Sequence, residues 1–306
     1  MPQAVPVSRR AWPAILLAGL LQACAGPCDI NQGDVLPVTF HEQLQPLVPV
    51  EINGQTVPLL LDTGAAVTAL LPEGVQQLGL QQDSLRKTRL YGVGGTSREQ
   101  NALLARLRIG RLDLRNLTVP VALHNAPGQH PMAGLLGADV LSTQELEIDI
   151  PGRRVVLHNT AACAVGTPPW TGAAASLPVE LLPGKQVVVR VQVNGFTVRA
   201  LFDTGAMFTV MRPSVARRAG MPEEAFAAPA AGVLRGAGPG TAALHIFPVE
   251  TIGIGEESFR DNRVLVAELG EQATYGMVLG QDFIARRRFW LSYARQQLYV
   301  WKQAGP

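Results

Sequence analysis

Two stretches of apolar residues end in the same three letters. Leu59-Leu60-Leu61 runs into Asp62-Thr63-Gly64, and Ala200-Leu201-Phe202 runs into Asp203-Thr204-Gly205. One Asp at a strand end only caps a turn in many proteins. Two at matching points of a repeat are another matter, because a pseudo-twofold between the copies would bring both side chains face to face. Two carboxyl groups sharing one site cannot both ionise cheaply, so one pKa rises and the pair holds a single proton. The ionised member can take a proton from a held water while the protonated member donates to a carbonyl oxygen. That is the chemistry of amide hydrolysis by water. Each Thr hydroxyl can brace the contact between the copies, and each Gly lets backbone approach the carboxyls with no Cβ in the way.

The repeat itself is plain. Residues 50–65 match residues 191–206 at an offset of 141, from Val50-Glu51-Ile52-Asn53-Gly54 against Val191-Gln192-Val193-Asn194-Gly195 through to Ala65 against Ala206. Gly134-Leu135-Leu136-Gly137-Ala138-Asp139 then matches Met277-Val278-Leu279-Gly280-Gln281-Asp282 at an offset of 143, which persists from Leu146 to Ile150 against Phe289 to Tyr293. Three blocks in one order mean two copies of one domain, too few for a solenoid. The alternating residues around Asn53-Gly54 and Asn194-Gly195 predict tight hairpins. Further hairpins are predicted at Gly110-Arg111 and Pro151-Gly152, with short helices over 74–80 and 214–220. The predicted class is all-β, two domains related by a pseudo-twofold. The predicted divisions are a leader over 1–23, a lead-in over 24–42, domains over 43–160 and 178–306, and a linker over 161–177 rich in Pro, Gly and Ala.

Asp-Thr-Gly-Ala followed by an apolar-apolar-Gly triplet, present twice, resembles the retropepsin-like aspartic peptidases, including bacterial periplasmic members. The resemblance covers roughly residues 43–158 and 185–303, and it implies that each copy is a retropepsin-like (acid protease) β-barrel. It implies that Asp62 and Asp203 are catalytic, with Thr63, Gly64, Thr204 and Gly205 completing the active-site loops. It also implies that Leu135-Leu136-Gly137 and Val278-Leu279-Gly280 are the ψ-shaped loops supporting them. Tyr91-Gly92-Val93-Gly94-Gly95 resembles the family's flap over the cleft, and a surface loop with an anchoring aromatic is the plainer alternative. The second copy offers Gly236 and Gly238 in a segment with no Tyr and with Pro239, so the two flaps are expected to differ. Asp139 and Asp282 read as structural, Arg286-Arg287-Arg288 as a solvated helix end, and Pro58 as an edge or bulge residue. Ala65 and Ala206 stand where pepsin-like enzymes carry Ser or Thr. The missing hydroxyl removes a hydrogen bond to each carboxylate, so the pair is expected to be less acidic, with an optimum nearer pH 5–6 than 2–3.

Composition narrows the field. Of 306 residues, 47% are hydrophobic and 16% charged, which suits a folded chain. A net charge of +2 and 6% aromatics argue against a nucleic-acid partner. Arg9 and Arg10, then the apolar run Ala14 to Leu21, read as an export leader too short to span a bilayer. Leu21-Gln22-Ala23-Cys24 resembles a bacterial lipoprotein signal, in which lipid is attached to the Cys. Simple secretion is the alternative. Cleavage there leaves 24 basic and 24 acidic residues, so acyl chains rather than charge would hold the protein at a membrane in the periplasm or cell envelope. Cys28 and Cys163 are a candidate disulfide in that compartment. No Cys and His spacing suits zinc, so no metal and no cofactor is expected. The expected partner is an extended peptide or protein substrate, bound by a monomer whose two aspartates pair within the chain. Pairing between chains, and a peptide-binding module without turnover, remain as alternatives.

Overall fold

The computed structural model describes residues 33–41, 45–122, 132–158, 168, 170, 174–236 and 238–301. Cys24, Cys28 and Cys163 lie outside them, so the leader, the lipid site and the disulfide pairing have no structural account. Among the described residues the chain is nearly all strand with a few short helices. No helix there is long and apolar enough to cross a membrane.

Each copy folds into a six-stranded ring. In the first, Gln45–Ile52 pairs with Gln55–Leu61, which runs parallel to Gly134–Leu136, itself paired with Ala69–Leu70. A parallel bridge from Leu70 to Val121 leads to Leu112–Pro120, then to Gly95–Ile109, which closes the ring on Glu51 and Ile52. In the second copy Val187–Val193, Phe196–Phe202, Met277–Leu279, Val210–Met211, Glu257–Val266 and Ala242–Ile254 follow the same path and close through Val191 to Val193. The inward faces supply a core of Val, Leu and Ile, including Ile52, Leu59, Leu61, Val191 and Phe202, all within 1% of full burial. Both Asn-Gly turns hold two consecutive residues at positive φ (Asn53 49° and Gly54 86°, Asn194 44° and Gly195 86°), the geometry whose twist matches the flanking strands.

A third sheet ties the rings together. Its order is Asp34–Pro37, Arg154–His158, Glu145–Asp149, Arg288–Ser292, Gln297–Trp301, Ala174–Pro178. Three strands come from each side, and the middle seam pairs Leu146 with Leu291, Glu147 with Trp290 and Ile148 with Phe289. Glu147 and Trp290 are repeat equivalents, so the pseudo-twofold passes through that one pair. Ala174–Pro178 is therefore an outer strand of this sheet, although composition places most of it in the linker. Its short Ala and Ser side chains read as linker only until a neighbouring strand supplies the hydrogen bonds. Phe289 meets Phe202 edge-on at 5.1 Å, which seats the strand leading to Asp203 directly on the sheet.

The Arg286-Arg287-Arg288 run is not a solvated helix end. Arg287 pairs with Glu257 at 3.0 Å and lies over the rings of Phe259 and Phe283. Arg288 begins a strand, pairs with Glu147 at 2.7 Å and lies over Trp170. Burial pushes the Glu147 carboxyl up, but His158, Arg288 and Arg154 around it outweigh burial and hold it below its ordinary value. Removing Glu147 would strand this positive charge at the seam. Because Arg288 retains 23% exposure, the cost is set at the low end for a broken buried pair. Glu147→Ala is expected to destabilise the fold by about 2–3 kcal/mol. Urea unfolding checks this through a lowered midpoint with an unchanged slope.

Candidate active site

The two Asp-Thr-Gly loops meet on the pseudo-twofold, at the point where each ring faces the other. The strand before each loop runs parallel to an apolar-apolar-Gly strand, and the Asp itself continues that ladder. The Asp62 N–H donates to Leu136 O, and the Asp203 N–H to Leu279 O, both at 3.1 Å. Each supporting loop is held in turn by a Thr. The Gly137 N–H donates to the Thr68 hydroxyl oxygen at 3.0 Å, and that hydroxyl donates to Asp139 at 2.8 Å. Gly280, Thr209 and Asp282 repeat the arrangement at 3.2 and 2.7 Å. This is what Asp139 and Asp282 do: each braces a buried Thr.

The loops are locked by crossed hydrogen bonds. The Thr63 hydroxyl donates to Phe202 O at 2.7 Å, and the Thr204 hydroxyl donates to Leu61 O at 2.6 Å. Each hydroxyl oxygen accepts the other residue's backbone N–H, at 3.0 and 3.1 Å. Both threonines are fully buried. Every polar atom of the crossing is therefore satisfied, and leaving one unpaired would cost about 1–3 kcal/mol.

Above the threonines sit the carboxyls. Asp62 Oδ1 accepts the N–H groups of Gly64 and Ala65 at 3.0 and 2.9 Å. Asp203 Oδ1 accepts those of Gly205 and Ala206 at 2.8 and 3.0 Å. Each Gly packs against the carboxyl of the other half. A Cβ on Gly64 would lie 2.2 Å from the Asp203 carboxyl carbon, and one on Gly205 would lie 2.6 Å from that of Asp62. No other residue type fits there. Both aspartates come from one chain, and each is partly exposed at the floor of the gap between the rings.

Burial is the largest influence on both acids, and it raises both. The neighbouring Asp203 charge, and the hydrogen bond that protonated Asp62 donates to that carboxylate, push Asp62 well above the ordinary carboxylate value. Asp203 is also raised by burial, with its backbone donors and its hydrogen bond to Asp62 pulling the other way. The pair thus holds one proton, favouring Asp62, over a range where isolated carboxyls have lost theirs. The N–H groups of Ala65 and Ala206 still donate, but neither residue carries a hydroxyl.

Two glutamines outside the repeated motifs also reach the site. The Gln45 side-chain N–H donates to Gly205 O, and that of Gln186 donates to Gly64 O, each at 2.7 Å and each reaching into the opposite half. They stand 141 apart, so extending the repeat five residues upstream of Val50 and Val191 reveals them. Gln281, at the position of Ala138, adds a donor to Thr204 O at 2.6 Å.

The flaps meet across the halves. Gln82–Gly92 and Gly95–Ile109 form a long hairpin turning at Val93-Gly94, with Tyr91 53% exposed near its tip. The second copy has only Gly232–Leu234 paired to Ala242–Leu244, with an irregular loop between. The Gly240 N–H donates to Gly94 O at 2.8 Å. A Cβ on Gly94 would lie 2.7 Å from Gly238, and one on Gly236 would just touch Val93. Gly92 approaches Gly270, on a separate loop of the second half.

Comparison with known proteins follows the same division. Residues 48–140 match the family model described as "Aspartyl protease", and residues 189–286 match that of "gag-polyprotein putative aspartyl protease". Each barrel is thus a retropepsin-like domain. The chain is also similar to "DNA damage-inducible protein 1" of two strains of Cryptococcus neoformans var. neoformans serotype D, JEC21 and B-3501A. Each is 29% identical over 127 residues, covering 40% of this chain. The match spans 28% of the length of those relatives.

Both acids hold protons more tightly in the fold than in the unfolded chain. Their contribution to stability is therefore full below the unfolded carboxylate value of about 4 and is lost as pH rises through the raised folded values. Asp62→Asn removes that loss. The variant is expected to melt above the wild type at pH 7, with the difference closing as pH falls to about 4. Calorimetry across that range checks it.

Proposed function

We propose that this two-barrel, aspartyl-protease-type chain is an aspartic endopeptidase that hydrolyses peptide bonds with Asp62, Asp203 and one water. The observation that carries this is the pair of carboxyls packed against each other's glycines, with four backbone N–H groups aimed at them. With Asp62 protonated and Asp203 ionised, Asp203 takes a proton from water as the water oxygen attacks the scissile carbonyl carbon. Asp62 gives its proton to the carbonyl oxygen, and a neutral diol results. Asp203 then returns its proton to the amide nitrogen while Asp62 recovers one from a diol hydroxyl, and the C–N bond breaks. The pair regains its single proton and no covalent intermediate forms. The backbone donors on Oδ1 of each Asp fix where both carboxyls point. The crossed threonines hold the two halves in register, the kind of preorganisation that positioned catalysis requires.

Substrate enters as an extended chain between the floor and the flaps, hydrogen-bonded like an added strand. Tyr91 and the glycines at 92, 94, 236 and 238 form the roof that covers it. The reading of residues 9–24 adds that the protein is exported and held at the cell envelope by lipid on Cys24. Labelling with a fatty acid is expected to mark the wild type and not Cys24→Ala.

Peptide-library cleavage between pH 3 and 8 tests the activity. Wild type is expected to cleave, and Asp62→Asn and Asp203→Asn are each expected to lose at least about 1000-fold, since neither carboxyl alone can act as both acid and base. Because both acids are raised and no hydroxyl follows either Gly, the optimum is expected near pH 5–6. A sharp maximum below pH 3.5 would refute that expectation. If wild type cleaves nothing while still binding extended peptides, the chain is a binding module and the peptidase reading fails.

A further inference from the structure

The two walls beside the aspartates are built on one backbone frame and carry different chemistry. In the first half the Leu71 N–H donates to Ala133 O at 2.9 Å; in the second the Arg212 N–H donates to Gly276 O, also at 2.9 Å. These are repeat equivalents, so side chains on the two frames compare one to one. The first wall is wholly apolar: Leu47, Leu60, Leu71 and Met132 form one buried cluster, with Leu135 against it. The matching cluster in the second half holds Val188, Leu201 and Val278 at the positions of Leu47, Leu60 and Leu135. At the position of Met132 it has Tyr275, and at that of Leu71 it has Arg212.

Tyr275 packs against that cluster together with Ala206, which follows the Asp203 loop, and Leu234, at the root of the second flap. It is partly exposed, and no hydrogen bond to its hydroxyl is found among the described residues. Burial first, then the charge of Asp203, raise its phenol to about 12, with Arg212 pulling the other way and Asp62 adding a smaller push upward, so it is a neutral donor at every working pH and lies within electrostatic reach of both carboxyls. Arg212 ties down the loop beneath: its Nη2 donates to Gly270 O at 2.6 Å and Ala273 O at 2.9 Å, while its Nε is buried with no hydrogen-bond partner among the described residues. It fixes the segment that carries Tyr275, a phenol partly exposed between Ala206 and Leu234, and its own cation stands close enough to act on that phenol.

We infer that Tyr275 is a specificity-determining residue that makes the cleft polar on one side, so that the preferred peptide carries a neutral polar side chain, such as Gln or Asn, against the second half and an aliphatic one against the first. A carboxylate would accept the same hydrogen bond, but at the phenol the charge of Asp203 outweighs the opposing charge of Arg212, so the neutral amide is favoured. This rests on the reading of the gap as a peptide cleft, and it concerns binding as well as turnover.

The test uses reduced-amide peptides, which cannot be cleaved, with Leu on both sides of the altered bond, or with Gln replacing one Leu or the other. Calorimetric titration gives Kd for wild type, Tyr275→Phe and Tyr275→Met, and cleavable versions of the same peptides are assayed in parallel. One Gln peptide is expected to bind wild type about fivefold more tightly than the other, the value of a neutral hydrogen bond. Tyr275→Phe is expected to erase that ratio, and Tyr275→Met, which restores the residue of the first wall, to do the same. Equal Kd values for the two Gln peptides in wild type, or a ratio that survives Tyr275→Phe, overturns the inference. If the ratio behaves as expected but the cleavable peptides stay intact, the assignment of Tyr275 stands and the peptidase reading falls. If none of the peptides binds wild type, both fall.

Discussion

Two acidic groups are held in a space too dry for two charges, and most of the remaining structure follows from that constraint. An isolated buried carboxylate is costly; two that share a proton and accept four backbone N–H bonds are tolerable. The tolerance depends on position. The glycines must press against opposite carboxyls, the loops must not slide, and the strands beneath must not part. The crossed threonines meet the second need and the interdomain sheet the third. The glutamines add a tie from the lead-in strand of each half to the carbonyl of the other half's Gly. The site thus costs stability locally and is retained because the surroundings over-determine it.

Much of this was legible in the sequence because it is written twice. The Asn-Gly turns, the strands they join and the order of the blocks follow from local chemistry and repetition. Thr63 and Thr204 could be anticipated because a hydroxyl beside a twofold has one natural use. What escaped were residues whose meaning depends on the other half. Gln45 and Gln186 read as ordinary polar residues at strand starts until the opposite loop is placed beside them. Arg288 reads as one of three surface cations until the seam puts Glu147 under it. Ala174–Pro178 has linker composition, and only the edge of a sheet built by both domains makes it a strand.

The copies keep the frame and vary the surface that faces the gap. Backbone bonds at equivalent positions agree, while one flap is a long hairpin and the other a short strand with an irregular loop. Met132 gives way to Tyr275, Leu71 to Arg212, Val67 to the exposed Phe208. The conserved frame is what the shared proton requires. The variable lining is what an asymmetric ligand such as a peptide, which has a direction, can exploit.

The seam has one more implication. A residue lying on a true twofold must face its own copy, so in a symmetric dimer of identical chains the position of Glu147 would be occupied by two glutamates or by two tryptophans. The first would set like charges together in a buried sheet, and the second would crowd two indoles into one place. Joining the halves in a single chain lifts that rule. One member of the pair can be an acid and the other an aromatic, with Arg288 and His158 gathered around the acid. On the axis, covalent linkage permits a contact that symmetry forbids, and the halves, once they hold it, can no longer exchange roles.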